Sequence, residues 1–544
     1  MIRAQISSLT LLLTLFIDFG AFAQTIPVGS PLEDVYRREQ LTGKFDSTLS
    51  FTIRPLSVKL FAKQSTGFYP EQDSSVSGSR LDYRSKKGNL AFTVLPISWQ
   101  QQFNSTLPYG WNDGAMIPAK GYQTKISAGV YLEAGPLSIQ LQPEYVNAEN
   151  RDFQNEQFFD EYALQADIPV RFGEDSYSKV LWGQSSILLN AGHASIGISS
   201  QNLWWGPGMR NSLLMSNTGK GFKHLTLHTN RPVNTIIGAF EAQVIAAKLN
   251  SSPYGRFASN PSYTDWRYLT SMTFSYQPRW VPGLFVGLTR SFQVYSKNIN
   301  GLKGYFPFFT PFIKVNDTDN VTGSDNKDQL ASIFVRWLLT TAHAELYFEY
   351  GTSDHSYNLR DFLMSPQHSR AYIFGFRKLT PLNSSNNQFI QVNAEVTQLS
   401  QTTDWLVRKA MPWYMHGEVR HGYTNEGEIL GAGIGPGSNL QSIDVSWVKG
   451  KKLIGIQVER YLHNIDFSNS SRKDLNSQSR RWVDLGLAVI STWEIKNLLL
   501  NTKIQGIESF NYQWQMKNYS PEVYYIPEND IFNVHAELGL TYLF

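Results

Sequence analysis

The sequence predicts an all-β fold: a large transmembrane antiparallel β-barrel of about 16 to 18 strands, best counted as 18, with a small N-terminal helical segment on the periplasmic side. Three observations carry that expectation. The chain opens on an export signal, most of its length alternates apolar and polar residues, and its last strand is long and ends on Phe544. Composition agrees. Charged residues make 17% of the 544, against roughly 25% in an ordinary soluble domain. Aromatics make 14%, from 33 Phe, 27 Tyr and 14 Trp. A mean hydropathy of −0.29 excludes a bundle of transmembrane helices, each of which needs about 20 apolar residues in a row. There is no cysteine, hence no disulfide, thiol nucleophile, Cys-zinc site or lipidated N-terminal Cys. A net charge of +3 gives no reason to expect nucleic acid.

The first element is a signal peptide over residues 1–23. Arg3 precedes an apolar stretch from Ile6 to Phe19, and Ala21-Phe22-Ala23 supplies the small-x-small cleavage pattern before Gln24. A short helix follows. Ser30, Pro31 and Glu33 stand at the N-cap, first and third positions of a capping box. Leu32, Val35 and Tyr36 share one face, and Gly43 is a natural stop. The organisation expected is a signal peptide 1–23, an N-terminal periplasmic segment 24–80 with this helix, and a barrel over 81–544.

The remaining elements are strands. Phe532, Val534, Ala536, Leu538, Leu540, Tyr542 and Phe544 alternate with small or polar residues, and only Leu543 breaks the rule. That run matches the length of a tilted membrane-crossing strand, about 9–11 residues. The same pattern marks 122–133, 137–142, 240–246, 268–276, 284–288, 342–350, 390–397, 443–447, 454–458, 483–489 and 498–504. A soluble sandwich would also alternate. The barrel is favoured by export, by strand length, by the Glu, Lys, Asn and Gln on the second face, and by the terminal Phe, which resembles the closing strand of bacterial outer-membrane barrels. Trp99, Trp266, Trp280, Trp337, Trp447, Trp482 and Trp493 lie near strand ends, where aromatic girdles form.

Three stretches break the alternation with dense Gly, Pro and Trp: 108–121, 202–217, and 421–437. Aromatic faces stack on the C–H surfaces of sugars, while Asn, Asp and Arg bond hydroxyls. Trp111, Asn112 and Asp113 form such a set, as do Trp204, Trp205, Arg210 and Asn211, with Tyr423 a further candidate. A tight turn, or a segment folded into the lumen and wedged by its indoles, fits the same residues. Tyr305–Phe312, Asp354–His368 and Asn511–Tyr525 are further aromatic, polar segments.

At these stretches the chain resembles the capsule assembly Wzi family. Trp204-Trp205-Gly206-Pro207-Gly208 followed by Asn211-Ser212-Leu213-Leu214-Met215-Ser216-Asn217 is similar to that family's signature, as are Gly219-x-Gly221-Phe222-x-His224-Leu225 and Arg231-Pro232. Tyr109-Gly110-Trp111-Asn112-Asp113-Gly114, Gly422-Tyr423-Thr424 and Gly435-Pro436-Gly437 are similar to its other motifs. The resemblance implies a Gram-negative outer-membrane barrel that attaches and retains capsular polysaccharide at the cell surface, acting as a lectin without enzymatic chemistry. The partners it implies are capsular or other surface polysaccharide, outer-membrane lipid and other capsule export components.

No motif for a hydrolase, zinc protease, P-loop or calcium site is present, so no catalytic, cofactor or metal residue is expected. Glu345 and Glu349 share a strand face and are expected to pair with basic lumen residues such as Arg336. Asp354, His355, Ser356, Asp361 and Ser365 are neighbours in sequence only. An outer-membrane porin or nutrient channel is the alternative function, motivated by the polar alternate face. It leaves the Trp, Gly and Pro motifs without a purpose.

Overall fold

The computed structural model describes residues 24–544 apart from 45–46, 62–82, 86–89, 156–165, 256, 258–264, 300, 306, 308–326, 354–358, 384–386, 407–409, 472–480, 515–526 and 528. The signal-peptide expectation, most of Tyr305–Phe312, and Asp354, His355 and Ser356 lie outside the described residues.

Eighteen antiparallel staves close into one barrel. They are β1 (Leu90–Asn104), β2 (Gly121–Ala134), β3 (Leu137–Leu141 and Glu144–Ala148), β4 (Tyr177–Leu181 and Ser186–Ala191), β5 (Ala194–Ser199), β6 (His224–Thr229), β7 (Gly238–Leu249), β8 (Arg267–Pro278) and β9 (Leu284–Tyr295). The second half is β10 (Lys327–Leu339), β11 (Ala344–Ser353), β12 (Arg370–Asn383), β13 (Gln388–Gln398), β14 (Asn439–Lys449), β15 (Lys452–Leu462), β16 (Val483–Ile495), β17 (Leu498–Phe510) and β18 (Ile531–Tyr542). Closure is between β18 and β1, with Tyr542 opposite Ile97 and His535 opposite Asn104.

The alternation has the sense expected of a lipid-facing barrel. On β11, Glu345, Tyr347 and Glu349 are buried while Leu346 and Phe348 are exposed at 41% and 40%. On β16, Leu485, Leu487 and Val489 are exposed and Ala488 is buried. A soluble sandwich would bury the apolar set. Here its exposure makes sense only against lipid, and the backbone polar groups are paired around the ring. Trp99, Trp280 and Trp337 are outward and exposed as girdle residues should be, but Trp482 is buried in an aromatic cluster at the mouth of the lumen.

The two ends differ. At one end, eight connections of two to eight residues join the staves; at the other, nine connections run from sixteen to forty. The short-turn end also holds the C-terminus, where Leu543 N bonds Asn497 O.

The lumen is filled from both ends. From the short-turn end comes helix α1 (Pro31–Leu41), which starts on Pro31 and stops at Gly43, whose φ is 70°. Ser30 is the N-cap but makes no side-chain cap bond; Glu33 instead accepts from Gly29 N at 3.0 Å. Leu32, Val35 and Tyr36 are buried, and so are Glu33, Arg37, Arg38 and Glu39, because the barrel wall surrounds the helix. Arg37 and Arg336 both reach Glu345, at 2.8 and 2.7 Å. Asp34 is held between Arg38 and Arg377, and despite burial the Arg377 and Arg38 guanidiniums keep its carboxyl below the usual range.

From the long-loop end, the β5–β6 and β13–β14 connections fold inward. Leu203, Trp205, Leu213, Leu214, Trp413, Tyr414 and Tyr423 form a core with the inward Ile245, Leu249, Leu269, Leu330 and Ile373 of the wall. This is why the Val-Ile-Ala-Ala run 244–247 loses clean alternation. The upper part of β7 meets lipid on one face and packed protein on the other.

Candidate functional site: a plugged lumen and an aromatic cleft

The Trp-Trp-Gly-Pro-Gly run crosses the middle of the lumen. Trp204 and Trp205 pair antiparallel with Arg54 and Ile53, so a segment from the short-turn end and a loop from the long-loop end join there. Arg54 holds the junction. It pairs with Glu33, donates to the carbonyls of Gly206 at 3.3 Å and Gly208 at 3.1 Å, and lies 4.7 Å over the Trp204 ring. Arg37 adds a bond to Pro207 O at 2.7 Å. Gly206 has a φ of 111°, and a Cβ there would sit 2.7 Å from the Glu349 carboxylate. Only glycine brings the backbone that close to the wall.

Two wall carboxylates then anchor the loop. Glu395 accepts the N–H groups of Met209 at 2.7 Å, Arg210 at 3.1 Å and Asn211 at 2.9 Å, together with the Tyr347 hydroxyl at 2.8 Å. Glu349 accepts from Ser332 Oγ at 2.7 Å rather than pairing with an arginine; of the two carboxylates expected to pair with Arg336, Glu345 alone does so.

These contacts sort the sequence-derived candidates. Trp204, Trp205, Asn211 and Tyr423 are fully packed. Trp205 donates its indole N–H to Gln243 at 2.9 Å, Asn211 bonds Thr397 at 3.1 Å, and Tyr423 bonds Ser291 at 2.8 Å. Asn112, with φ 62°, is an internal brace: its amide donates to Arg210 O at 2.7 Å and its Oδ1 accepts from Thr218 at 3.1 Å. Asp113 accepts from Gln102 at 3.2 Å and lines a polar mid-lumen cavity of about 160 Å³ with Lys125, Glu144 and Glu537. Burial, then the neighbouring Glu537, pushes its carboxyl up to about 6. Trp111 and Arg210 do come together: the guanidinium lies 5.6 Å from the indole and is fixed by Glu459 at 2.5 Å.

Trp111 forms part of a second feature, a half-open cleft of about 200 Å³ at the long-loop end. Its floor follows from strand register. Tyr461 pairs with Asp484 across β15 and β16, and the next step places His463 opposite Trp482, with His463 N bonded to Trp482 O at 3.0 Å. The His463 and Trp482 rings stack at 3.6 Å and 6°, and Tyr461 lies 3.7 Å from His463. Asp484 fixes the stack, accepting from Trp482 Nε1 at 3.0 Å and Ser509 Oγ at 2.6 Å and contacting His463 Nε2 at 2.7 Å. Tyr512 and Trp514 meet Trp482 edge-on at 5.1 Å, and Tyr109 and Tyr461 meet Trp111 at 5.3 and 5.5 Å.

Of the cleft's rings, the sequence-level candidates included Trp111 by name and the Asn511–Tyr525 segment as a stretch. Tyr461, His463, Trp482 and Asp484 were missed. Their signal was the His463…Asp484 spacing across a loop that joins two neighbouring staves, and Trp482 read as a girdle residue instead. Among the described residues no group of His, Asp and Glu is placed to hold a metal ion.

One solved structure shares this architecture, and others are more distantly similar. The solved structure of Wzi from Escherichia coli, described as a carbohydrate-binding β-barrel involved in group 1 capsule assembly, covers 96% of this chain and 100% of its own at 14% identity, with a TM-score of 0.59. OccK7 (OpdD) of Pseudomonas aeruginosa covers 83% of this chain and 99% of its own at 9% identity and a TM-score of 0.38. A BenF-like porin of Pseudomonas fluorescens Pf-5 covers 83% and 98% at 7% identity and a TM-score of 0.39. No curated protein matches the chain in sequence. Residues 110–496, which include the Trp-Trp-Gly-Pro-Gly run, the Glu395 anchor and the floor of the cleft, match the capsule assembly protein Wzi family along most of the chain, and the chain belongs to that family.

Proposed function

We propose that this barrel holds capsular, or another surface, polysaccharide at the outer face of a Gram-negative outer membrane, as a lectin and without enzymatic chemistry. The observation that carries the reading is the combination of a filled lumen and a ring-lined cleft at the long-loop end. A packed interior leaves polymer no way through, and a stacked aromatic floor offers the C–H face of a sugar a surface to rest on. Short turns face the periplasm in bacterial barrels and long loops face outward. With that orientation and removal of the 1–23 signal peptide, residues 24–44 and 47–61 enter the lumen from the periplasmic side, and the cleft is turned towards the polymer. The exposed periplasmic side is also where other capsule export components would meet the protein.

The test is deletion of the gene in an encapsulated host, with cell-attached and released polysaccharide measured separately. Polymer that is made but shed into the medium is the expected result. Unchanged attachment would overturn the reading and bring back the porin alternative, which steady conductance steps in planar bilayers would then support.

A further inference from the structure

The cleft has a chemical bias that narrows what it can hold. Among the described residues its lining contains no lysine or arginine, the Arg210 guanidinium behind Trp111 is committed to Glu459, and the one lining carboxylate, Asp484, is already occupied by Trp482, Ser509 and His463. An anionic sugar placed there would give up hydration with the nearest described cation, Arg210, already neutralised by Glu459 and with a carboxylate close by.

The lining does hold hydrogen-bond donors that lack acceptors. Asn533 is 1% exposed; its Oδ1 accepts from Thr106 N at 2.9 Å and Leu107 N at 3.2 Å, which leaves Nδ2 without a partner. Asn464, also 1% exposed, uses Oδ1 to accept Phe467 N at 3.0 Å, and its Nδ2 is likewise unmatched. The Trp111 indole N–H is the third. Buried donors without acceptors are rare and costly. Three beside one aromatic cleft suit a partner that is flat, apolar on one face and edged with uncharged oxygen acceptors. At about 200 Å³ the space is smaller than the roughly 300–1,000 Å³ of sites for drug-sized ligands, which suits one ring rather than several.

We propose that the cleft bounded by Trp111, Tyr461, His463, Trp482 and Tyr512 is a subsite for a single uncharged pyranose residue of the polymer, and that it rejects uronic acids. The proposal rests on the polysaccharide-retention reading and specifies which part of the polymer is gripped. Acidic residues of a capsule would then lie outside the cleft, and the neutral residues would set affinity.

The experiment uses the full-length protein in detergent micelles, with folding checked by heat-modifiable gel mobility. Saturation-transfer NMR is recorded with the methyl glycosides of glucose, galactose, mannose and N-acetylglucosamine, and with those of glucuronic and galacturonic acid. At least one neutral glycoside gives transfer, and the uronides give none. Trp111→Ala, which removes ring and donor, weakens the binding about tenfold or more, and Trp111→Phe, which keeps a ring, weakens it a few-fold. Tyr512→Ala, on the other side of the cleft, stands in if Trp111→Ala does not fold. Uronide binding equal to or above that of the neutral sugars overturns the proposal. So does neutral binding unchanged in the alanine variants, or no transfer from any glycoside. Purified capsular polysaccharide of the host separates the two readings. Equal binding to wild type and variants removes the cleft assignment and leaves retention standing, whereas no binding to wild type removes both.

Discussion

Replacing Glu395 by alanine deletes the acceptor that ties the Gly-Pro-Gly loop to the barrel wall. The carboxylate is 2% exposed and takes three consecutive amides, 209–211, plus the Tyr347 hydroxyl, all between 2.7 and 3.1 Å. A hydrogen bond to a charged group contributes about 1.5–3 kcal/mol. The four share one acceptor and do not add. Breaking a buried charged contact from one side costs about 3–5 kcal/mol, and that is the expected loss in the free energy of opening the loop. At about 1.4 kcal/mol per decade, the opening equilibrium rises by roughly two to four orders of magnitude. Hydrogen exchange of the peptide spanning 204–217, in wild type and Glu395→Ala in the same detergent, reads this directly. The 209–211 amides should exchange faster by that factor while the β14–β17 amides stay unchanged. Tyr347→Phe removes one bond and should accelerate exchange by about tenfold at most. Wild-type exchange rates at 209–211 in a folded Glu395→Ala barrel would refute the reasoning and place the anchor elsewhere in the lumen core.

Three further outcomes are expected. Arg54→Ala removes the contacts to Glu33, Gly206 O, Gly208 O and the Trp204 ring, so residues 24–61 should become sensitive to protease in the purified protein while the barrel resists; equal resistance would show that Arg54 does not hold the two plug segments together. Leu487→Arg places a charge on an outward position that is 58% exposed, and refolding into lipid vesicles should cost about 2–4 kcal/mol if that face meets the bilayer core; an unchanged denaturation midpoint would contradict the lipid-facing assignment. Asp466, in the β15–β16 connection, accepts Gln401 N at 3.1 Å, and burial pushes its carboxyl up to about 7 from 3.8. Because the folded state keeps a proton that the unfolded chain has lost, burial of Asp466 costs least below about pH 4, and the folded arrangement loses stability as pH rises towards 7. Protection factors at 399–403, with the intrinsic base-catalysed rate divided out, should therefore be lower at pH 7.5 than at pH 4.5, and Asp466→Asn should flatten that dependence; a slope of opposite sign would reverse the assignment.

Much of the wall could be read from the sequence because its rule is local. Side chains on a strand alternate faces whatever the partner strand is, so Ile390, Val392, Ala394 and Val396 declared themselves against Gln391, Asn393 and Glu395 without knowledge of any neighbour. Helix α1 was legible for the same reason, since Pro31 and Gly43 act on the backbone nearest to them. Alternation failed where both faces are packed, as on the upper half of β7.

The site was only partly legible. Trp204, Trp205, Asn211 and Tyr423 carry the composition of a sugar site, yet they lie in the packed core of the plug, because an indole beside Asn and Arg satisfies a filled lumen as well as it satisfies a polysaccharide. What the sequence alone determined was the β architecture, the approximate strand number and the family motifs, all of which depend on composition and short-range periodicity. Only the tertiary structure decided that the lumen is filled from both ends and that the rings of 109–111, 461–463, 482 and 512–514 meet at one mouth. Those decisions rest on contacts such as Arg210 with Glu459, 249 residues apart, and His535 with Asn104, 431 apart. Closing the barrel sets which strands become neighbours, and strand register then brings such residues within bonding distance.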